Sequence, residues 1–255
     1  MRLRRKSSPP VAPSADPSDI ASSPVDGFVL NGAYDVQTAE LVKRVMRPGD
    51  VGFDVGAHEG SILRHIVDAS PQAMHHAFEP IPTLASGLRA TFPSVLVHEL
   101  ALSEAKGTVT FNHVVSNPGY SGLRERRYDR PHEEISVIEV QTDRLDDVVG
   151  DQVAPRIVKI DVEGAERGVV RGGLDVLRRS RPFVVFEHGL GAADFYDTTP
   201  GEMHDLLHED LGLSVTLIAN WLAGTGILTR EQFIDEFSTG RNYYFLAYPG
   251  SPGGD

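Results

Sequence analysis

The stretch DVGFDVGAHEG, residues 50–60, decides the fold of this chain. Residues 51–55 form a short, mostly apolar run, Gly56 and Gly60 frame a turn, and residues 61–67 follow with helical spacing. This order predicts a strand, a glycine turn and a helix. A glycine turn lets the backbone approach a ligand where a side chain would clash, and the helix beyond it offers unpaired N–H groups.

The spacing of the turn argues against a nicotinamide cofactor. A dinucleotide-binding turn reads G-x-G-x-x-G, whereas this one reads Asp54-x-Gly56-x-x-x-Gly60, with an acidic residue near the end of the strand. The pattern is typical of methyltransferases that use S-adenosylmethionine (SAM). The alternative is a strand-to-helix turn in which the glycines serve packing alone.

Composition limits the classes of protein that the chain can belong to. Its 255 residues are 40% apolar, which suits one α/β domain with a full core. Lysine and arginine number 24 against 36 aspartates and glutamates, a net charge of −12, so we expect no nucleic-acid partner. The absence of cysteine excludes disulfides, thiolate metal sites and cysteine nucleophiles.

The two ends of the chain differ in composition from the middle. Residues 1–24 are rich in proline, serine, alanine and aspartate and predict a disordered tail, and residues 250–255 predict a second one. Neither a signal peptide nor a membrane span is indicated. We therefore expect a single domain over residues 25–249, no membrane partner and a cytoplasmic location.

Alternating and apolar runs predict the remaining elements. The predicted strands are 74–78, 95–100, 107–115, 135–142, 156–162, 182–186, 213–219 and 242–248, and the predicted helices are 35–46, 82–92, 143–149 and 199–211. Residues 117–134 contain an arginine cluster and predict a loop that either clamps an anionic acceptor or forms a solvated lid.

Acidic residues follow three of the predicted strands. Glu79 lies 19 residues after Gly60, at a position where a carboxylate can accept both ribose hydroxyls of a nucleoside, although an exposed turn acid is the alternative. Asp161 and Glu163 end one later strand and Glu187 ends the next. Because ligands bind at the carboxyl ends of parallel strands, we expect these acids to line one crevice.

Seven blocks of the sequence together resemble one family. FDVGAHEG, HAFEPIP, LALSEAKGTVTF, SGL, QTDRLDD, IVKIDVEGAE and RPFVVFEHG occur in this order between residues 53 and 189 and resemble the FkbM-type methyltransferases. The resemblance implies a class I Rossmann-like α/β fold: a seven-stranded, mostly parallel sheet with an antiparallel last strand, helices on both faces and a small antiparallel insertion. It also implies SAM as the cofactor and a hydroxyl of a polyketide, sugar or other natural product as the acceptor.

The resemblance also suggests roles for residues at the cofactor site. Asp54 would bind the donor's ammonium or the waters of the turn, Gly56 and Gly60 would give backbone access, and Glu79 would bind the ribose. His58, where many relatives carry asparagine, would lie near the methionine part. The remaining cofactor-site residues are Ala101 and Leu102, beside the adenine, and Asp161, among the acids that match a cationic donor.

A hydroxyl acceptor needs a base, because it ionises poorly at neutral pH. The candidates are Glu163, Glu187 and His188. The alternative for Glu163 is an acid that only stabilises a helix N-terminus, and the alternative for His188 is an ordinary loop histidine. Lys159, in a predicted buried strand, is expected to pair with a carboxylate. A variant mechanism places Mg²⁺ on Asp161, Glu163 and Glu187.

Two other functions stay open from the sequence. One is a nicotinamide-dependent oxidoreductase, and the other is a SAM-binding protein without catalysis. The identity of the acceptor, the choice between O- and N-methylation and the oligomeric state are not determined by the sequence.

Overall fold

A computed structural model describes residues 27–128 and 132–250 of the chain. The predicted tail of residues 1–24 and all but the first residue of the predicted end lie outside this range. Among the described residues, no helix is both long enough and apolar enough to span a bilayer.

Seven strands form the central sheet. They are β1 (Val51–Val55), β2 (His76–Phe78), β3 (Leu96–His98), β7 (Pro155–Ile160), β8 (Phe183–Glu187), β9 (Ser214–Thr216) and β10 (Tyr244–Tyr248). Their order is β3-β2-β1-β7-β8-β10-β9, and only β10 runs antiparallel to its neighbours. This order confirms the predicted seven-stranded, mostly parallel sheet with an antiparallel last strand.

A second sheet confirms the predicted small antiparallel insertion. It contains β4 (Ala101–Leu102), β5 (Gly107–Val114) and β6 (Ile135–Asp143) in the order β4-β6-β5. Strands β5 and β6 pair antiparallel along their whole length. The predicted strand 95–100 is too long, because β3 ends at His98. The next strand, β4, begins at Ala101 and belongs to the second sheet.

Nine α-helices surround the strands in the described part of the chain. They are α1 (Gly27–Val45), α2 (Ser61–Ala69), α3 (Pro82–Thr91), α4 (Leu145–Val148), α5 (Glu166–Arg171), α6 (Leu174–Ser180), α7 (Pro200–Asp205), α8 (Ile218–Ala223) and α9 (Arg230–Thr239). Helix α7 continues as a π-helical turn, Leu206–Asp210. Helix α9 was not predicted, and the predicted strand 213–219 is wrong beyond Thr216, where α8 begins after one linking residue.

The central sheet is buried on both faces because alternate side chains of its strands enter two apolar clusters. Val158 and Phe186 pack against α5, α6, α7 and α9 on one face. Ile157 and Val185 pack against α1, α2 and α8 on the other. Since helices cover both faces, the carboxyl edge of the parallel strands is the place left for a ligand crevice.

Candidate active site

A cavity of about 810 Å³ opens at the carboxyl ends of the parallel strands. Most of the residues predicted for the site line it: Asp54, Gly56, His58, Glu79, Ala101, Leu102, Asp161, Glu163 and Glu187. In total, six carboxylates and three basic side chains of the described residues contribute to its wall. The excess of acids gives the cavity a negative potential that suits a cationic ligand.

The glycine turn after β1 is built from left-handed backbone. Gly56, His58 and Gly60 have φ angles of 73°, 50° and 82°, which glycine adopts without steric cost. A Cβ on Gly56 would lie 1.8 Å from the carbonyl oxygen of Asp161, and one on Gly60 would lie 2.6 Å from the ring of Phe92. Packing inside the chain therefore already requires both glycines, and backbone access for a ligand stays a prediction.

Glu79 holds the glycine turn against the end of β2. Its side chain is 4% exposed, so the alternative of an exposed turn acid is wrong. Oε2 accepts a hydrogen bond from the backbone N–H of His58, and Oε1 accepts one from the N–H of Ile81, both at 2.9 Å. Burial raises the pKa of Glu79, and these two bonds partly offset that effect. Each oxygen keeps a lone pair for a ligand.

Lys159 lies under the turn and pairs with carboxylates, as predicted. Its ammonium donates to the carbonyl oxygen of Gly56 at 2.7 Å and lies 3.3 Å from Asp54 and 3.6 Å from Asp161. Burial opposes the charged form of Lys159, but the two aspartates outweigh it and raise its pKa. Burial raises the pKa of Asp54, and the neighbouring Lys159 ammonium partly offsets this effect.

Asp161 and Glu187 meet at the ends of β7 and β8. Burial alone would raise the pKa of Asp161, but Lys159 and a hydrogen bond from the hydroxyl of Tyr244 hold it below its usual range. Burial, and then the charge of Asp161, raises the pKa of Glu187 well above its usual range. The environment therefore pushes the pKa values of these two neighbouring carboxyl groups in opposite directions, downward for Asp161 and upward for Glu187.

Glu163 enters the cavity from the loop that follows β7. Its φ of 59° is unusual for a residue other than glycine. Glu166 stabilises this loop, because its Oε1 accepts hydrogen bonds from the N–H groups of Val162 and Gly164. Glu163 forms an ion pair with Arg126, whose guanidinium also lies 4.9 Å from the ring centre of Tyr120. The Arg126 side chain is only 12% exposed and departs from the expected solvated lid, whereas Arg124 and Arg127 of the same segment are exposed.

His188 does not face the cavity, so the prediction that it acts as the base is wrong. Successive side chains of an extended segment point to opposite sides. Because Glu187 lines the cavity, the ring of His188 points away from it and packs against Phe233 and Phe237, with centroid distances of 5.9 and 5.0 Å. Burial lowers the pKa of His188 to about 4.

Sequence reasoning missed an aromatic wall of the cavity. Tyr243 and Tyr244, before and at the start of β10, line it, and Tyr34 of α1 stacks on Tyr244 at 5.0 Å between ring centres. The hydroxyl of Tyr34 donates to Asn242 at 2.9 Å. The repeated tyrosines of the segment NYYF, residues 242–245, are the feature of the sequence that could have indicated this wall.

Comparisons with known proteins identify the family of the chain. The family model described as "Methyltransferase FkbM domain" matches residues 54–213, more than half of the chain. The 2-O-methyltransferase NoeI of Sinorhizobium fredii is 28% identical over 58% of this chain and 67% of its own length. The 31-O-demethyl-FK506 methyltransferase FkbM of Streptomyces tacrolimicus is 29% identical over 50% of this chain and 60% of its own length.

A solved structure shows a weaker likeness. The crystal structure of a methyltransferase FkbM from Methylobacillus flagellatus KT matches with a TM-score of 0.48 and 15% identity, covering 91% of this chain and 57% of that one. A score at this level supports no conclusion about function, so the assignment rests on the family model, which covers β1 through the residue before β9. On that match, the chain belongs to the FkbM family of methyltransferases.

Proposed function

We propose that the chain transfers a methyl group from SAM to a hydroxyl oxygen of a small molecule. The observation that carries the proposal is the acidic cavity at the carboxyl edge of the sheet, most of whose lining residues lie inside the segment that matches the FkbM methyltransferase domain. The printed names of the two relatives both specify O-methylation, which favours an oxygen acceptor. The acidic wall and the net charge of −12 disfavour a nucleic-acid acceptor.

The residues of the cavity fit SAM as the cofactor. Buried polar atoms of the cavity wall without a hydrogen-bond partner among the described residues include Nε2 of His58. Because unpaired buried polar atoms are costly, they indicate a polar partner supplied from the cavity. Asp54 would hold the ammonium of the donor, and His58 would contact its methionine part.

The nucleoside end of the donor would lie farther along the cavity wall. Glu79 would accept the ribose hydroxyls through the lone pairs left free by its two backbone bonds, and Ala101 and Leu102 would contact the adenine. Gly56 and Gly60 shape the turn at which these contacts meet. When bound, SAM supplies a methyl group on a positively charged sulfur.

The acceptor's hydroxyl would lie beside the acids at the ends of β7 and β8. Glu163 is the group we assign to take the proton of the hydroxyl, since its carboxylate lies in the cavity wall beside Asp161 and Glu187. Glu187 and Asp161 would orient the acceptor oxygen by hydrogen bonding. Much of the rate would come from holding the acceptor oxygen in line with the methyl group.

Binding and turnover separate this function from its competitors. Isothermal titration calorimetry with SAM and with NADH should show binding of SAM alone, and binding of NADH alone would favour an oxidoreductase. Incubation with SAM and a panel of hydroxylated small molecules, followed by mass spectrometry, should show products heavier by one methylene unit. SAM binding without any methylated product from the true acceptor would indicate a binding protein.

A further inference from the structure

Three carboxylates from separate parts of the chain converge on one point of the cavity wall. Asp161 follows β7, Glu163 lies in the loop beyond it, and Glu187 ends β8. One oxygen atom from each lies within 4.8 Å of the others. Two ligands on opposite sides of one ion are separated by twice the metal–oxygen distance, about 4.2 Å for Mg²⁺ and about 5 Å for Ca²⁺. The spacing therefore already suits a hard divalent cation.

An independent observation at Glu187 points to a missing partner. The residue is only 8% exposed and lines the cavity, yet its Oε2 is buried and has no hydrogen-bond partner in the described part of the chain. A buried carboxyl oxygen without a partner is costly. A cation held between the three carboxylates would satisfy it.

The charges around the cluster leave room for a divalent ion. Asp54, Asp161, Glu163 and Glu187 supply four carboxyl groups, while Lys159 and Arg126 are the two cations that pair with them. A bound divalent cation displaces protons from its ligands, and the four ionised carboxylates then leave an excess of two negative charges, which equals the charge of one Mg²⁺ or Mn²⁺. We propose that Asp161, Glu163 and Glu187 form a binding site for a hard divalent cation of the Mg²⁺ type.

The open cavity beside the cluster would let the cation take part in methyl transfer. This role rests on the proposed function. Mg²⁺ keeps positions for water or substrate oxygens when a protein supplies few ligands. An acceptor hydroxyl coordinated there would lose its proton more readily, because the cation stabilises the negative oxygen. Each carboxylate needs only one oxygen for the cation, so once the cation has displaced Arg126 the second oxygen of Glu163 can still take that proton.

The ion pair between Arg126 and Glu163 makes a distinctive prediction. The guanidinium occupies a ligand carboxylate, so it competes with a cation for the same negative charge. Removal of this competitor in Arg126→Gln should strengthen cation binding several-fold. If Arg126 only stabilised the loop, its replacement would weaken cation binding or leave it unchanged.

The test uses Mn²⁺ as the probe, with the full chain stripped of metals by a chelator. Electron paramagnetic resonance of free Mn²⁺ should show about one ion bound per chain with a Kd below about 1 mM. Glu187→Gln should weaken binding by about tenfold or more. The matched control is Asp35→Asn, which removes another carboxylate of the same cavity wall and should leave Mn²⁺ affinity unchanged.

Three results would overturn the site: no Mn²⁺ binding by the parent chain, equal losses in Glu187→Gln and Asp35→Asn, or an Arg126→Gln variant that binds no better than the parent. Circular dichroism reports the folding of each variant, and Asp161→Asn replaces Glu187→Gln if the latter fails that check. A parent chain that binds S-adenosylhomocysteine but not Mn²⁺ would refute the metal site alone. Failure to bind S-adenosylhomocysteine would instead refute the proposed function.

Discussion

Replacing Lys159 by methionine should destabilise the chain far more than an equivalent change at the surface. The side chain is 7% exposed, and it neutralises Asp54 and Asp161 and binds the carbonyl oxygen of Gly56. Methionine keeps much of the volume but leaves the buried Asp54 and the partly buried Asp161 without their cation. Breaking a buried ion pair in this way costs about 3–5 kcal/mol of unfolding free energy.

Lys106 provides the matched control for this substitution. Its ammonium lies 2.7 Å from Asp143, a shorter ion-pair distance than either made by Lys159, but its side chain is 79% exposed. Surface ion pairs contribute about 0–1 kcal/mol, so Lys106→Met should change stability little. Because the two substitutions are chemically identical, the difference between them isolates the effect of burial.

Urea denaturation of both variants at pH 7.5, followed by circular dichroism, measures the difference. A loss of about 3–5 kcal/mol corresponds to a melting temperature lower by roughly 6–20 °C for a domain of this size. Adding Asp54→Asn to Lys159→Met should recover part of the loss, since it removes one of the stranded charges. If Lys159→Met unfolds within about 1 kcal/mol of Lys106→Met, the buried ion pairs do not hold the turn and the reasoning fails.

Three further predictions concern single side chains. Glu79→Gln should weaken SAM binding by about 1.5–3 kcal/mol in calorimetry, whereas the exposed Glu99→Gln should not change it. His188→Phe should keep SAM affinity and turnover, because the ring packs among phenylalanines outside the cavity, and a rate loss of about a hundredfold would restore its catalytic role. His76, whose pKa burial and His98 lower from 6.5 to about 4, is neutral in the folded chain, so stability should fall by about 3 kcal/mol as pH drops through that interval. His76→Phe should flatten this dependence in urea titrations at several pH values, and an unchanged slope would exclude His76 as its source.

Much of the fold could be predicted because its local patterns are strong. The residues after Asp50 show a strand, a turn and a helix within a short stretch, and Glu79 follows at the spacing of a βαβ unit. Because the carboxyl ends of parallel strands lie at one edge of a sheet, the acids at these strand ends could be predicted to lie near one another. The position of this end of β8 at the cavity follows from this rule without any knowledge of side-chain contacts.

The errors arose where tertiary packing decides. Glu187 and His188 are adjacent in the sequence, and nothing local says which of the two faces the cavity, because alternation fixes only that they differ. Tyr34 and Tyr244 are separated by about 200 residues, so their stacking cannot be read from periodicity. The ion pair that buries Arg126 likewise depends on a loop whose path the sequence leaves open.

The central claim is that the acidic cavity holds the methyl donor. A crystal structure of the chain with S-adenosylhomocysteine tests it most directly. The predicted result is electron density between the glycine turn and Glu79, with the ribose hydroxyls within hydrogen-bonding distance of its carboxylate. Density for the ligand at another place, or an empty cavity at saturating ligand, would contradict the account.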